Sequence, residues 1–179
     1  MKKIIINKDI VLKEIDLTDS TDIFQTIDQQ REYLREWLPF VDHTNSINDT
    51  IAFINSVSSI EETKTDLVFV ILFQNSFAGL ISFKAIDYQN KKTEIGYWLS
   101  EPFQGKGIMT SSCKGILKYA FEELGMNRVQ IRVAINNTKS KKIPEKLSFK
   151  LEGIERDGEQ LALGFTDLCV YSLLQKEME

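Results

Sequence analysis

Apolar and polar positions along the chain change period several times, and each change marks an element. Residues 2–15 read as strand with an irregular break near Asn7, and Asp16-Leu17-Thr18-Asp19 offers caps for a helix carrying Ile23, Phe24 and Ile27 on towards Leu34. The aromatic turn Trp37-Leu38-Pro39-Phe40 closes that region. Ile51, Ile54, Val57 and Ile60, spaced by three, predict a helix over about 48–60. Leu67-Val68-Phe69-Val70-Ile71-Leu72-Phe73 is almost continuously apolar, so both faces of this strand should be covered. Short polar turns then separate strands at about 77–86 and 92–99, the pattern of an antiparallel meander. Met109, Cys113, Ile116, Leu117, Ala120, Phe121 and Leu124 form one stripe of a helix over 109–124, which Gly125 stops as a left-handed cap. Arg128 to Val133 alternates as a strand, a short helix follows at about 139–147, and strands return near 149–156 and 166–174. The three prolines, Pro39, Pro102 and Pro144, are each expected at an element boundary.

Strand 92–99, helix 109–124 and strand 128–135 make one β-α-β unit, which requires parallel strands and a right-handed crossover. The remainder reads as largely antiparallel, the short turns at 74–76 and 87–90 favouring a meander. The expected fold class is therefore α+β: a single domain over residues 1–179, with a mixed, mostly antiparallel central sheet, one parallel pair near its middle, and helices on both faces. A doubly wound nucleotide fold is excluded.

Composition narrows the partners. With 42% hydrophobic and 27% charged residues the chain has the make-up of an ordinary globular protein, and a net charge of -4 argues against nonspecific nucleic-acid binding. A basic or amine-bearing partner suits that charge better. Cys113 and Cys169 have apolar neighbours and are expected as small core residues, not as a disulfide scaffold. The opening apolar run Ile4-Ile5-Ile6 is too short for a secretory core, and no run approaches the roughly 18 apolar residues of a membrane span. The chain reads as cytoplasmic, with no membrane partner. His43 is the one histidine, expected in an exposed loop, so no metal site is foreseen.

The stretch from Ile95 to Thr110 carries the chemistry. An apolar strand runs through Pro102 into a Gly-rich loop that opens directly into a helix. Gly105 and Gly107 let peptide N–H groups approach a ligand, and a helix N-terminus adds unpaired N–H groups and the positive end of its dipole. Together they suit a phosphate group, so a diphosphate-bearing cofactor is implied. The loop is neither a Walker loop nor the Rossmann fingerprint, since the Gly-Lys-Ser/Thr of one and the third glycine of the other are missing. Taken alone, Gly105-x-Gly107 is equally a tight strand-to-helix turn.

In this context Gln104-x-x-Gly107-x-Met109 resembles the acetyl-CoA loop of the GNAT N-acetyltransferase superfamily, Q/R-x-x-G-x-G/A. The resemblance extends through Glu94-Ile95-Gly96-Tyr97-Trp98-Leu99, Asn127-Arg128-Val129, Asn137-x-x-Ser140-x-x-Ile143-Pro144-Glu145-Lys146-Leu147 and Asp167-Leu168-x-x-Tyr171-Ser172-Leu173-Leu174. It is closest to the ribosomal-protein serine/alanine N-acetyltransferase branch (RimJ/RimL type). It implies acetyl-CoA as co-substrate, no metal, and attack of a neutral amine on the thioester. The acceptor it implies is a protein N-terminus, Ser or Ala first, of a ribosomal protein. A small amine (polyamine, amino acid or antibiotic) and a catalytically weak acyl-CoA-binding module stand as alternatives. Monomer and homodimer are both open.

By the same resemblance, strands 92–99 and 128–135 splay near Leu99 to admit pantetheine. The implied cofactor-binding residues are Trp98, Leu99, Gln104, Gly105, Lys106, Gly107, Ile108, Met109, Thr110 and Asn137. The implied catalytic residues are Glu94 as a base, Glu159 as a carboxylate in the loop after Arg156-Asp157-Gly158, and Ser140. Ser140 either protonates the departing sulfur, caps helix 139–147, or does both. Three departures matter. Met109 takes the last Gly/Ala position, and Ser148 replaces a glycine after Lys146-Leu147. Pro144 stands where many members carry the tyrosine that protonates the thiolate, which closes that route. Lys139, Lys141 and Lys142 read as a solvated helix face, with phosphate contact as the second reading. Tyr97, Trp98 and Trp37–Phe40 are expected to shape the acceptor groove.

Overall fold

A computed structural model describes residues 2–58 and 65–178. Among these residues eight strands form one sheet in the order β1-β2-β3-β4-β5-β6-β8-β7: β1 (Lys3–Ile5), β2 (Ile10–Glu14), β3 (Leu67–Phe73), β4 (Ser76–Asp87), β5 (Lys92–Leu99), β6 (Arg128–Ala134), β7 (Lys150–Leu161) and β8 (Gly164–Leu174). All neighbours pair antiparallel except β5 and β6. Among the described residues five α-helices accompany it: α1 (Ser20–Gln29), α2 (Arg31–Arg35), α3 (Ile47–Ser58), α4 (Ile108–Glu122) and α5 (Thr138–Lys146). The α+β class and the single parallel pair near the middle are both borne out. No helix among the described residues is long and apolar enough to cross a membrane.

The period-two rule for strands explains the two cores. In β3, Phe69 and Ile71 face the core built with α4 and α5, while Val68 and Val70 face the core built with α1, α2 and α3. The continuous apolar run is thus covered on both sides. The stripe of α4 buries Met109, Cys113, Ile116, Leu117, Ala120 and Phe121. Gly125 then adopts φ +64°, and Met126 N–H reaches back to the Ala120 carbonyl at 2.9 Å, closing the helix as expected. Cys113 and Cys169 are buried free thiols, and His43 is exposed.

Several boundaries differ from the sequence reading. The break near Asn7 is a hairpin turn whose Asn7 Oδ1 accepts from the Asp9 and Ile10 N–H groups. The helix expected through to Leu34 breaks at Gln30, because the Gln30 side chain is used elsewhere. Its Nε2 donates to Ser100 Oγ and its Oε1 accepts from Glu101 N–H, each at 2.9 Å. Helix α3 covers the expected stripe, with Ile54 fully buried, whereas Ile60 lies outside the described residues. Pro144 lies inside α5 and not at its boundary. The β7–β8 hairpin is longer than expected: Arg156-Asp157-Gly158 is a bulge, anchored by Asp157 N–H on Asp167 Oδ1 at 2.9 Å, and pairing resumes at Glu159↔Thr166. Glu159 is therefore a strand residue, not a loop residue.

Candidate active site

The parallel pairing of β5 with β6 covers only Lys92↔Arg128, Thr93↔Val129 and Glu94↔Gln130. Beyond Glu94 the two strands part, so the splay begins well before Leu99. On its other side β5 stays paired with β4 through Gly79↔Leu99. That approach is close: a Cβ on Gly79 would lie 2.2 Å from the Trp98 carbonyl oxygen. The result is a strand whose inner edge, from Ile95 to Leu99, offers backbone groups to an incoming extended ligand.

This gap opens into a cleft of about 800 Å³. Its walls are the end of β5, the loop at 103–107, the first turn of α4, the start of α5, and the stretch Tyr33–Leu38 of α2 and the turn after it. Gly107 caps α4 at φ +74°, and Gly105 has φ +71°. A Cβ on either would meet nothing within 4 Å, so the space before the loop is open. The N–H groups of Ile108, Met109 and Thr110 belong to the first turn of α4 and have no intrahelical acceptor. Lys139, Lys142 and Lys146 line the cleft against one carboxylate, Glu36. That local excess of positive charge, in a chain of net charge -4, fits a diphosphate. Lys139 and Lys142 are exposed, as expected of a solvated face, and both also border the open cleft, whereas Lys141 does not line it.

Of the expected cofactor contacts, Trp98, Leu99, Gln104, Gly105, Gly107, Ile108, Met109, Thr110 and Asn137 all line the cleft. Lys106 is exposed outside it, its ammonium 5.4 Å from the centre of the Phe103 ring. Gln104 spans the cleft: its Nε2 donates to Tyr33 Oη, and Lys139 Nζ donates to its Oε1 at 3.2 Å. Tyr33 and Glu36 are cleft residues that the sequence did not single out, because nothing local in an amphipathic helix marks them.

Ser140 also lines the cleft. The cap of α5 is Asn137, whose Oδ1 accepts from Ser140 N–H at 3.0 Å, so the Ser140 hydroxyl is not the cap. That hydroxyl donates instead to Tyr97 Oη at 3.2 Å. Tyr97 packs on the α4 side of the sheet and Trp98 on the α1 side, where it tilts against Phe77.

Glu94 and Glu159 lie away from the cleft lining, on the sheet face where Lys84, Arg132 and Glu155 also gather. Glu94 Oε2 pairs with Arg132 Nε at 2.7 Å, and Arg132 also meets Glu155 at 3.3 Å. Glu159 is exposed as a residue, yet partial desolvation pushes its carboxyl up; Lys84 and Arg132 pull it back and Glu94 adds to the rise. Among the described residues, no group of three or more His, Cys, Asp or Glu side chains is placed to hold a metal ion.

Residues 9–150 match a family model described as an acetyltransferase (GNAT) domain. The chain is 36% identical over 177 residues to a Bacillus subtilis (strain 168) protein named "Putative ribosomal N-acetyltransferase YdaF", covering 97% of this chain and 96% of that one. It is 26% identical over 150 residues to the Escherichia coli (strain K12) "Ribosomal-protein-serine acetyltransferase", covering 84% of each. Among solved structures, one described as "RimL- Ribosomal L7/L12 alpha-N-protein acetyltransferase in complex with Coenzyme A" superposes with a TM-score of 0.91 at 26% identity, over 97% of this chain and 98% of the other.

Proposed function

The chain belongs to the GNAT acetyltransferase family, and from that premise we propose that it moves the acetyl group of acetyl-CoA to the α-amino group of a protein N-terminus, with Ser or Ala as the first residue and a ribosomal protein as the acceptor. The observation that carries this reading is a single cleft in which the strand gap beyond Glu94 meets the N-terminus of α4 and the Lys-lined start of α5. Gly105 and Gly107 with the free N–H groups of Ile108, Met109 and Thr110 hold the diphosphate, and the lysines of α5 add charge. The open edge of β5 pairs with the pantetheine amides as an added strand would. Asn137 and Ser140, across the gap, face the thioester end.

An α-amino group titrates near 7.7–8.0, so much of it is already neutral at physiological pH and needs only a weak base. Glu159, raised by desolvation, is that base, acting through water. Glu94, tied to Arg132, sets the field in which Glu159 titrates. Ser140 donates a proton to the departing sulfur, a role that Pro144 cannot fill.

The test follows free thiol released from acetyl-CoA with Ser-, Ala- and other-initiated peptides and with a panel of small amines. Thiol release confined to Ser or Ala peptides supports the proposal. A preference for small amines overturns the acceptor, and tight acetyl-CoA binding without turnover overturns the catalytic reading of this chain.

A further inference from the structure

Pro144 has no N–H, so the carbonyl of Ser140, four residues earlier in α5, lacks its helical donor. The Tyr97 hydroxyl takes that place and donates to the Ser140 carbonyl at 3.2 Å. In return Ser140 Oγ donates to the Tyr97 oxygen at 3.2 Å. Tyr97 comes from β5 and Ser140 from α5, so this two-bond contact joins the elements on either side of the gap. Both residues line the cleft.

We infer that Tyr97 is a positioning residue for Ser140, an assignment that rests on the proton-donor role proposed above. As the amine attacks, the C–N bond forms, the C–S bond breaks, and sulfur keeps the electron pair. The Ser140 hydroxyl proton passes to sulfur, and the proton lost by the acetylated amine returns through solvent to Ser140 Oγ. During that exchange the Tyr97 O–H turns from the Ser140 carbonyl to Oγ and stabilises the charge developing there. Burial pushes the Tyr97 phenol far up, with Cys113 adding and the Ser140 bond opposing, so Tyr97 stays protonated and supplies a hydrogen bond without giving up its proton.

A double-mutant cycle on the full chain tests this, with acetyl-CoA and the best acceptor from the peptide and amine panel. Ser140→Ala is expected to lower kcat about 30-fold, below the usual span for general acids because a thiolate leaves readily. Tyr97→Phe is expected to lower kcat about 5- to 10-fold with KM for acetyl-CoA little changed, and the double variant to be no slower than Ser140→Ala alone. If Tyr97→Phe melts below the assay temperature, Tyr97→Leu replaces it in the cycle. Multiplying effects overturn the inference. So does a Tyr97 variant with normal kcat, or one altered only in KM, beside a slow Ser140→Ala; in these cases the Ser140 role survives. If neither single variant slows turnover, the Ser140 assignment falls as well.

Discussion

Arg132, two residues beyond Gln130 on β6, meets through its Nε the Oε2 of Glu94, the last β5 residue in parallel contact with β6, at 2.7 Å. Arg132 thereby partly offsets the Glu94 carboxylate, which raises Glu159, and it also lowers Glu159 directly. Removing the guanidinium acts twice in the same direction. For Arg132→Met the acidic limb of kcat/KM is expected to move to higher pH, because Glu159 then holds its proton longer. Glu159→Gln should lower kcat about 10- to 100-fold and leave only the ionisation of the acceptor amine in the profile. A pH–rate series from pH 5 to 9 on both variants and wild type decides this, and an unchanged acidic limb in Glu159→Gln removes Glu159 from the mechanism.

Gly107→Asp tests the phosphate site. The position has φ +74° and open space before it, so an aspartate side chain meets no protein atom within 4 Å at its Cβ and projects towards the ligand. Left-handed backbone at a residue with a Cβ costs about 1–2 kcal/mol, which a folded domain tolerates. The added charge next to a diphosphate is expected to weaken acetyl-CoA at least about 100-fold, given about 4 kcal/mol between close charges near a protein surface. Calorimetry on a variant with a cooperative melt gives the answer; wild-type affinity would refute the loop assignment.

The parts of this fold that were legible in the sequence are those written in local pattern. The β3 run, the α4 stripe with its Gly125 cap, and the glycines at 105 and 107 all depend on neighbours a few residues away. What escaped depends on contacts between distant residues. Gln30 ends a helix with no glycine or proline present, because its carboxamide is used by Ser100 and Glu101, 70 and 71 positions away. Pro144 looked like a boundary, but Tyr97 supplies the hydrogen bond that the helix loses there. Arg156-Asp157-Gly158 has loop composition and is a bulge, since Asp167 on the facing strand captures the Asp157 N–H. Glu94 was legible as a residue on the right strand, while its Arg132 partner on β6 was not.

Ser148 occupies the turn after α5 at φ +60°, where the family pattern has glycine. Its N–H still reaches the Glu145 carbonyl at 3.3 Å, so the turn is formed, but with a Cβ in a region that disfavours one. Ser148→Gly is expected to stabilise the protein by about 0.5–1 kcal/mol, the left-handed penalty less the greater entropy of an unfolded glycine. Chemical denaturation reads this directly. A loss of stability would mean that the Ser148 side chain contributes more than its backbone strain removes.

Acid sensitivity should centre on Glu152. Arg128 grips its carboxylate through two nitrogens at 2.6 and 2.5 Å, and Ser172 Oγ donates to it at 2.7 Å. The Arg128 hydrogen bonds first, then that of Ser172, hold its pKa at about 2. A carboxylate lowered on folding stabilises the native state above its unfolded pKa, and that contribution is lost as pH falls from about 4.5 towards 2. The Glu152 side chain is 42% exposed, so solvent screening limits the effect to about 1 kcal/mol or less. Glu152→Gln is therefore expected to lower the melting temperature slightly at pH 7 and to flatten its decline between pH 5 and 3. Thermal melts of both proteins across that range check it: parallel curves would show that the decline belongs to other carboxylates, whereas curves that converge at the acid end assign it to the Arg128–Glu152 pair.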